Sequence, residues 1–200
     1  MLDGFADAAR MWSPSLVAAD PTGGTVWFSD RNALGKITPQ GDVTFFGKQP
    51  SVAVAGMAVD HQGILYATGV LTGVIYRFHP NGLPAVLAGV EALGYDGFQD
   101  GQGGAARMGQ LKKLVFDGAS HLYFLDTVNL ALRKVSLDGV VTTVAGQPGN
   151  KASVDGQGPS AGFSDPRDLA CMPDGTIVVI DGTRWRRVTP QGLVLSLIHI

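Results

Sequence analysis

The chain has 200 residues, a net charge of −2 and only 16% charged residues. This balance argues against the strongly basic face that nucleic-acid-binding proteins usually carry. The single cysteine, Cys171, cannot form an intramolecular disulfide. No apolar run is long enough to cross a membrane, and the first residues lack the basic and apolar regions of a signal peptide. The 28 glycines and 11 prolines are typical of a fold with many tight turns.

The sequence repeats one unit four times, and each unit contains several short apolar strands. The repetition is clearest in the second strand of each unit, which reads VWFSD (Val26–Asp30), ILYATG (Ile64–Gly69), LYFLD (Leu122–Asp126) and IVVID (Ile177–Asp181). A fixed unit of short strands is the signature of a β-propeller or another repeat array. Function must then be sought where a copy departs from the repeat.

Within each unit the strands differ in composition, which predicts their position in a blade. The predicted first strands are Ser15–Asp20, Gly56–Asp60, Lys113–Asp117 and Asp168–Met172. Pro14, Val54, Leu111 and Pro166 lie just before them and are expected to be equivalent points. These first strands are nearly continuous apolar runs, so we expect them innermost and buried on both faces. Aromatic residues of the second strands should fill the gaps between blades. The third strands mix basic and apolar residues, and the polar, β-branched fourth strands suit the outer edge.

The predicted blades cover residues 3–48, 49–91, 92–148 and 149–194 approximately. The linkers before the third and fourth blades carry Asp-Gly-Gln-Gly, at Asp100–Gly103 and Asp155–Gly158, and should form tight surface loops. The segment Asp3–Met11 mirrors the linker Asp96–Met108.

Both ends of the chain are expected to be cut. The chain opens in the middle of a repeat and stops after the third strand of the fourth copy, so the last blade should lack its fourth strand. Residues 195–200 (LSLIHI) match the translation of one reading frame of a common transposon-end sequencing adapter. We therefore predict that they are a library artefact and exclude them from fold reasoning. The alternative is a natural final strand.

The repeat resembles the NHL family, most clearly in Ala105–Gly146 and Asp155–Asp181. The shared features are an Asp ending the first and second strands, an Asn three residues later, and an Arg-Lys third strand. The second copy departs from them at Gly69 and Gly73. The resemblance implies an all-β fold, a β-propeller of four-stranded antiparallel blades, with about four blades here of a six-bladed parent. It also favours an extracellular or periplasmic location.

Aspartates that recur in register are expected to be structural. Asp30, Asp126 and Asp181 end second strands, where a carboxylate can accept backbone N–H bonds across the next turn. Asn32 and Asn129 accompany two of them. A catalytic residue is usually unique to one blade, because a reaction centre needs different groups converging on one point.

Other polar residues give no catalytic or metal-binding pattern. Asp96, Asp100 and Asp155 lie in Gly-rich loops, but the alternating ligands of a calcium loop are missing, so a turn is favoured over a metal site. His61, His79 and His121 lie in surface hairpins without metal-ligand spacing, and His199 lies in the tail. Cys171 belongs to an inner strand and has no identifiable base. We predict no catalytic residue, cofactor or metal.

The candidate binding residues are Trp12, Arg184 and Trp185, which the repeat explains least, together with Asp100 and Asp155 of the Gly-rich linkers. Trp12 replaces Gly109 of the matching linker, and an exposed tryptophan there suggests a contact surface. Arg186 and Arg187 match the family's third-strand pair, whereas Arg184 and Trp185 do not.

Three classes of function remain open. NHL propellers include binding platforms and sensors, so the first is a non-enzymatic module that recognises a protein, peptide or glycan through its inter-blade loops. The second is a metal-dependent enzyme resembling propeller lactonases or lyases, with ligands in missing blades. The third, RNA binding, requires a contiguous basic face and a steep salt dependence, which the mild acidity disfavours.

We expect the 200-residue chain to aggregate or to unfold with poor cooperativity, because closed propellers avoid free sheet edges by pairing their first and last blades. Thermal unfolding followed by circular dichroism, with light scattering recorded in parallel, measures both properties. A sharp, reversible two-state transition of a monomer would contradict this expectation.

Overall fold

The computed structural model describes residues 3–5, 9–31, 33–48, 54–91 and 97–198. Asn32, Asp96 and His199, named above, lie outside these residues. The regular structure of the described chain consists of 19 short strands and two three-residue 3-10 turns. No helix in these ranges is long and apolar enough to cross a membrane.

The strands form four antiparallel sheets, each a consecutive stretch of sequence, which confirms the predicted all-β propeller blades. The first is β1 (Gly4–Phe5), β2 (Pro14–Ala19), β3 (Val26–Asp30), β4 (Ala33–Ile37) and β5 (Asp42–Lys48). The second is β6 (Val54–Val59), β7 (Leu65–Gly69), β8 (Val74–Phe78) and β9 (Pro84–Gly89). The third is β10 (Gly101–Gln102), β11 (Leu111–Phe116), β12 (His121–Asp126), β13 (Ala131–Ser136) and β14 (Val140–Gly146). The fourth is β15 (Gly156–Gln157), β16 (Pro166–Cys171), β17 (Ile177–Asp181), β18 (Arg184–Val188) and β19 (Leu193–Ile198).

The four predicted anchor residues are equivalent in the structure. Each is the first residue of an inner strand, and each pairs with the last residue of the second strand, as Pro14 does with Asp30 and Leu111 with Asp126. Each inner strand also contains a β-bulge, which directly follows the anchor in β2, β6 and β16 and comes one residue later in β11. The first strands of successive sheets contact one another, which places them on one common inner side.

A fifth, two-residue strand lies at the outer edge of three sheets. It comes from the linker that precedes the blade, so β1, β10 and β15 pair with the fourth strands β5, β14 and β19. In this register Asp3-Gly4 corresponds to Asp100-Gly101. The linker Asp3–Met11 therefore matches the part of the later linker that starts at Asp100, and the alignment with Asp96 was wrong.

The hydrophobic core consists of three layers, each between two consecutive sheets. Trp27 and Leu34 of the first blade pack against Tyr76 and Phe78 of the second. Ile75 packs against Phe124 in the next layer. The third layer joins blades three and four and contains Leu125, Leu132, Phe163, Leu169 and Val179. Burial of aromatic and aliphatic side chains between blades stabilises the array.

The inner strands are less buried than their composition predicts. In the first blade, four of the six residues of β2 are exposed, because none of the four described sheets covers that side of the blade. The expectation of burial on both faces holds best for β6, which lies between two neighbours and has four of its six residues buried.

The fourth blade has a fourth strand, which corrects the expected gap. Leu193–Ile198 pairs with β18 and with the edge strand β15. Four residues of the predicted adapter segment are therefore part of the sheet. Their origin stays a prediction, since pairing in a sheet is compatible with an added tail.

Candidate functional site

The aspartate that ends the second strand holds the incoming linker of its own blade. Asp30 accepts the backbone N–H groups of Trp12 and Ser13 at 2.8 and 2.6 Å. Asp181 accepts those of Ser164 and Asp165 at 2.8 and 2.7 Å. The structural role of these carboxylates is confirmed, but the donors precede the first strand and do not belong to the next turn. The buried linker amides are thereby satisfied.

The third blade adds a buried arginine to this arrangement. Arg133 is fully buried and donates to Asp126 at 3.1 Å and to Asp100 at 2.8 Å. It also donates to the carbonyls of Gln99 and Arg107, each at 2.8 Å. One guanidinium thus joins the second strand, the linker and the outer edge of the blade through charge-assisted hydrogen bonds.

The fourth blade repeats the arrangement. Arg186 is fully buried and donates to Asp181 at 3.2 Å and to Asp155 at 2.9 Å. Asp155 also accepts a hydrogen bond from Ser196, as Asp100 does from Thr143. We call each of these Asp–Arg–Asp groups a clamp. The sequence did not reveal that one arginine of each basic third strand is buried.

The two carboxylates of the third-blade clamp differ in their pKa. Burial raises the pKa of Asp126, although Asn129 and Arg133 act in the opposite direction. Burial also acts to raise the pKa of Asp100, but hydrogen bonds from Thr143 and Arg133 outweigh it and the pKa is lowered. The half-exposed end of the clamp therefore remains ionised to lower pH than an ordinary aspartate.

The first and second blades lack the arginine. In the first blade Gly35 lies at this position, and the ring of Phe28 occupies the space where a side chain would begin. In the second blade the position is Tyr76, and Gly69 replaces the aspartate. Burial first, and then the nearby carboxylate of Glu91, raise the pKa of Tyr76 to about 12. These two blades are where the molecule departs from its own repeat.

The linkers and the turns between second and third strands lie together at one end of each blade, which we call the linker face. Trp12 is 66% exposed there, in the first blade. The guanidinium carbon of Arg31 lies 5.1 Å from the centre of the Trp12 ring, a cation–π distance. Leu71 and Val128 are exposed at the corresponding turns of the next two blades.

Backbone geometry fixes this Trp–Arg pair. The N–H of Trp12 is bonded to Asp30, and Arg31 has a left-handed φ of 56°. Gly182 occupies the corresponding position in the fourth blade, with a φ of 61°. A non-glycine residue in this region costs about 1–2 kcal/mol, and such strain is concentrated at functional sites. Trp12 was a predicted binding residue, whereas no sequence pattern indicated Arg31.

The structure does not bring the five predicted binding residues together. Asp100 and Asp155 belong to clamps in different blades, and their carboxylates already bind Arg133 and Arg186. Arg184 donates to the backbone carbonyl of Ser153 at 3.1 Å, in the fourth-blade linker.

The two tryptophans among them are both exposed but lie in different places. Trp185 is 46% exposed on the open side of β18, in the fourth blade. Trp12 lies on the linker face of the first blade. Whether any of the five residues binds a ligand stays a prediction.

A cavity lies along the inner strands, at the end of the blades opposite to the linker face. This cavity of about 380 Å³ is lined by residues of β2, β6 and β11, such as Ala18, Met57 and Leu114. His61 reaches its edge and stacks on Phe116, with 5.8 Å between ring centres. Burial raises the pKa of Cys171, an inner-strand thiol outside this cavity. Within the described residues, no group of three or more His, Cys, Asp or Glu is placed to hold a metal ion.

Comparison with known proteins shows the fold. No protein-family model matches the chain, and no curated protein sequence matches it. An auxiliary nutrient binding protein from Bacteroides ovatus aligns with a TM-score of 0.75 and 20% identity, over 95% of this chain and 50% of that one. Virginiamycin B lyase from Staphylococcus aureus aligns with a TM-score of 0.68 and 17% identity, over 93% and 55%.

A protein of unknown function from Bacteroides thetaiotaomicron aligns with a TM-score of 0.72 and 23% identity, over 90% of this chain and 46% of that one. At these identities the similarity establishes the β-propeller-like fold alone. The chain spans about half the length of each of these three structures.

Replacing Arg133 by Met should destabilise the protein by about 3–5 kcal/mol, because Asp126 would remain buried without its cation. Denaturant unfolding measures the loss. Arg77→Met is the matched control, since Arg77 is an exposed arginine on the third strand of the second blade, and it should cost less than about 1 kcal/mol. Adding Asp126→Asn to Arg133→Met should recover part of the stability, because it removes the unpaired buried charge and keeps an oxygen that can accept the Gly109 N–H. Equal losses for Arg133→Met and Arg77→Met would refute the clamp.

The protein should lose stability as the pH falls from about 4 towards 2. The folded pKa of Asp100 lies below its unfolded value of about 3.9. At Asp100 the folded state therefore binds fewer protons than the unfolded state in this window, so the stabilisation from Asp100 is present above about pH 4 and is lost on acidification, whereas Asp126, whose pKa is raised, contributes with the opposite sign. Asp100→Asn should make the decline shallower, whereas Asp138→Asn, at an exposed hairpin residue, should not. Urea midpoints at several pH values provide the measurement.

Proposed function

We propose that the chain is part of a non-enzymatic binding propeller that recognises a protein, peptide or glycan through its linker face. The observation that carries the proposal is the exposed Trp12–Arg31 pair, which is fixed by Asp30 and by a strained backbone. Rigid, exposed tryptophan and arginine side chains are the residue types that dominate binding energies at interfaces.

The pair also lies where the repeat is broken. Trp12 occupies a position that is Gly109 or Ser164 in other blades, and Arg31 one that is Gly182. Trp12 and Arg31 therefore add side chains that the architecture does not require. Similarity to an auxiliary nutrient binding protein supports a binding function without naming the ligand.

The resemblance to the NHL family supports the same class of function. In the third and fourth blades the features that resemble the family, the strand-ending Asp and the third-strand Arg, build the clamps. These features are used for architecture, which leaves the variable linkers and turns for recognition. The resemblance also favours an extracellular or periplasmic setting.

An enzymatic function is the second candidate, because the fold is similar to that of virginiamycin B lyase. The inner-strand cavity with His61 at its edge is the place where such a reaction would be sought. Consumption of virginiamycin B by the purified chain, measured by chromatography and abolished in His61→Ala, would favour this candidate over the binding function.

Trp12→Ala should weaken ligand binding about tenfold or more, because it removes the exposed aromatic contact. Ligands would be selected from a glycan microarray and from a phage-displayed peptide library, and the affinities measured by surface plasmon resonance. Leu83→Ala is the matched control, since Leu83 is an exposed apolar residue in the hairpin between β8 and β9.

Arg31→Gly separates binding from stability. It should weaken the same ligands and raise the unfolding free energy by about 1 kcal/mol, because glycine adopts a positive φ without strain. Ligands that bind wild type, Trp12→Ala and Arg31→Gly equally well would place the binding site elsewhere, and a failure to select any ligand would count against the binding function itself.

A further inference from the structure

A pocket lies between the first and second blades, at the end of the blades opposite to the linker face. We call it the inter-blade pocket; its volume is about 200 Å³, and Trp27, Lys36, Phe78 and His79 are among the residues that line it. It shares no lining residue with the inner-strand cavity. Pockets for drug-sized ligands have volumes of roughly 300–1,000 Å³. The inter-blade pocket is smaller and therefore suits a molecule of the size of a single amino acid.

The hairpin that forms one wall of the pocket departs from the repeat. In the first blade Ala19 pairs with Val26, and six residues lie between them. The corresponding pair of the second blade, Val59 and Leu65, encloses five residues, and the third and fourth blades also have five. The additional residue of the first blade lies within residues 20–25, and both ends of this stretch line the pocket.

Asp20 has one carboxylate oxygen that no side chain of the described residues binds. Its Oδ1 accepts hydrogen bonds from the backbone N–H and the hydroxyl of Thr22, at 2.8 and 2.9 Å. Its Oδ2 lies towards the second blade, where a Cβ on Gly63 would be 3.4 Å away. The hydrogen bond from the Thr22 backbone is the main cause that lowers the pKa of Asp20, so the carboxylate is ionised at neutral pH.

In the second and third blades the corresponding oxygen already has a side-chain partner. The hydroxyl of Tyr66 donates to Oδ2 of Asp60 at 3.1 Å, and Nδ1 of His121 lies 3.5 Å from Oδ2 of Asp117. In the first blade Trp27 takes the place of Tyr66, and among the described contacts none joins its ring to the carboxylate. The first blade therefore leaves this oxygen accessible to a ligand.

A positive charge lies at the same pocket. The ammonium of Lys36 lies over the rings of Trp27 and Phe46, 6.0 and 5.4 Å from their centres, which are cation–π distances. Within the described part of the chain Lys36 forms no ion pair, so no carboxylate neutralises its charge. The second blade supplies apolar lining from Leu65 and Phe78. The pocket thus combines a carboxylate, an ammonium group and an apolar wall.

We propose that the inter-blade pocket binds a free α-amino acid with an apolar side chain, its ammonium group on Asp20 and its carboxylate on Lys36. A zwitterion matches the two opposite charges, and charge-assisted hydrogen bonds at both ends orient the ligand. Its side chain packs against the wall that contains Phe78. A neutral glycan lacks both charges, and in a peptide the charged termini lie on different residues. This site is separate from the linker face and does not depend on the function proposed for it.

Saturation-transfer difference NMR of the protein with L-leucine tests the proposal. L-Leucine should bind saturably, in competition with other apolar amino acids. N-Acetyl-L-leucine lacks the ammonium group and L-leucinamide lacks the carboxylate, so each should bind about tenfold or more weakly than L-leucine. The absence of saturable binding up to about 10 mM L-leucine overturns the proposal, and so does equal binding of either analogue.

Substitutions at the two charges connect binding to the pocket. Asp20→Asn and Lys36→Met should each weaken L-leucine binding about tenfold or more, because each removes one charged partner. Lys36→Met should also remove the preference for L-leucine over L-leucinamide. Lys134→Met is the matched control at the corresponding position of the third blade, and Asp138→Asn is the control at an exposed hairpin aspartate. Both controls should bind L-leucine like wild type.

Circular dichroism checks that each variant is folded, and the analogues test the same contacts in the wild-type protein. Binding of L-leucine that is unchanged in both Asp20→Asn and Lys36→Met overturns the proposal. Trp12→Ala should leave L-leucine binding unchanged, although it weakens ligands of the linker face. Loss of L-leucine binding in Trp12→Ala would assign the amino acid to the linker face and would also overturn the proposal.

Discussion

The hydrogen bonds that the strand-ending aspartate accepts from the incoming linker determine how the first, third and fourth blades are assembled. Asp30 accepts hydrogen bonds from backbone N–H groups 17 and 18 residues earlier in the chain, and Asp181 accepts them from N–H groups 16 and 17 residues earlier. These contacts connect the start of a blade to the end of its second strand. They fix the register of the first hairpin, on which the inter-blade layers depend, since a one-residue shift would turn every core side chain to the other face.

The buried arginine extends this constraint across the whole blade in the third and fourth sheets. A charge without access to water requires polar partners, and the linker carbonyls and the edge aspartate bind the two terminal nitrogens of Arg133. The first blade replaces the ionic group with packing of Phe28 against Phe45 in an edge-to-face arrangement. The same position in the blade is therefore filled by an ion pair in the third and fourth blades and by an aromatic pair in the first.

The sequence predicted the architecture well, because the information lies in local, repeated patterns. The equivalence of Pro14, Val54, Leu111 and Pro166 required only that strand lengths and turns recur. The burial of Arg133 could not be inferred, because basic residues on an outer strand usually face solvent and its partner Asp100 lies 33 residues away. Asp100 was predicted as a binding residue because its bond with Arg133 is equally invisible in the local sequence. Arg31 was missed because a left-handed arginine has no sequence signature.

The β-bulge near the start of each inner strand contains one residue whose side chain is not restricted by a cross-strand partner. Ser15, Ala55 and Arg167 are the unpaired residues directly after the anchor, and in the third blade the unpaired residue is Lys113, one position further along. Lys113 uses this freedom to reach Asp168 of the next blade at 3.2 Å. Small, polar and charged residues are all accommodated there, so one site per repeat can diversify in chemistry while the scaffold stays unchanged. Evolution or engineering could thereby change the chemistry at the start of the inner strands one blade at a time.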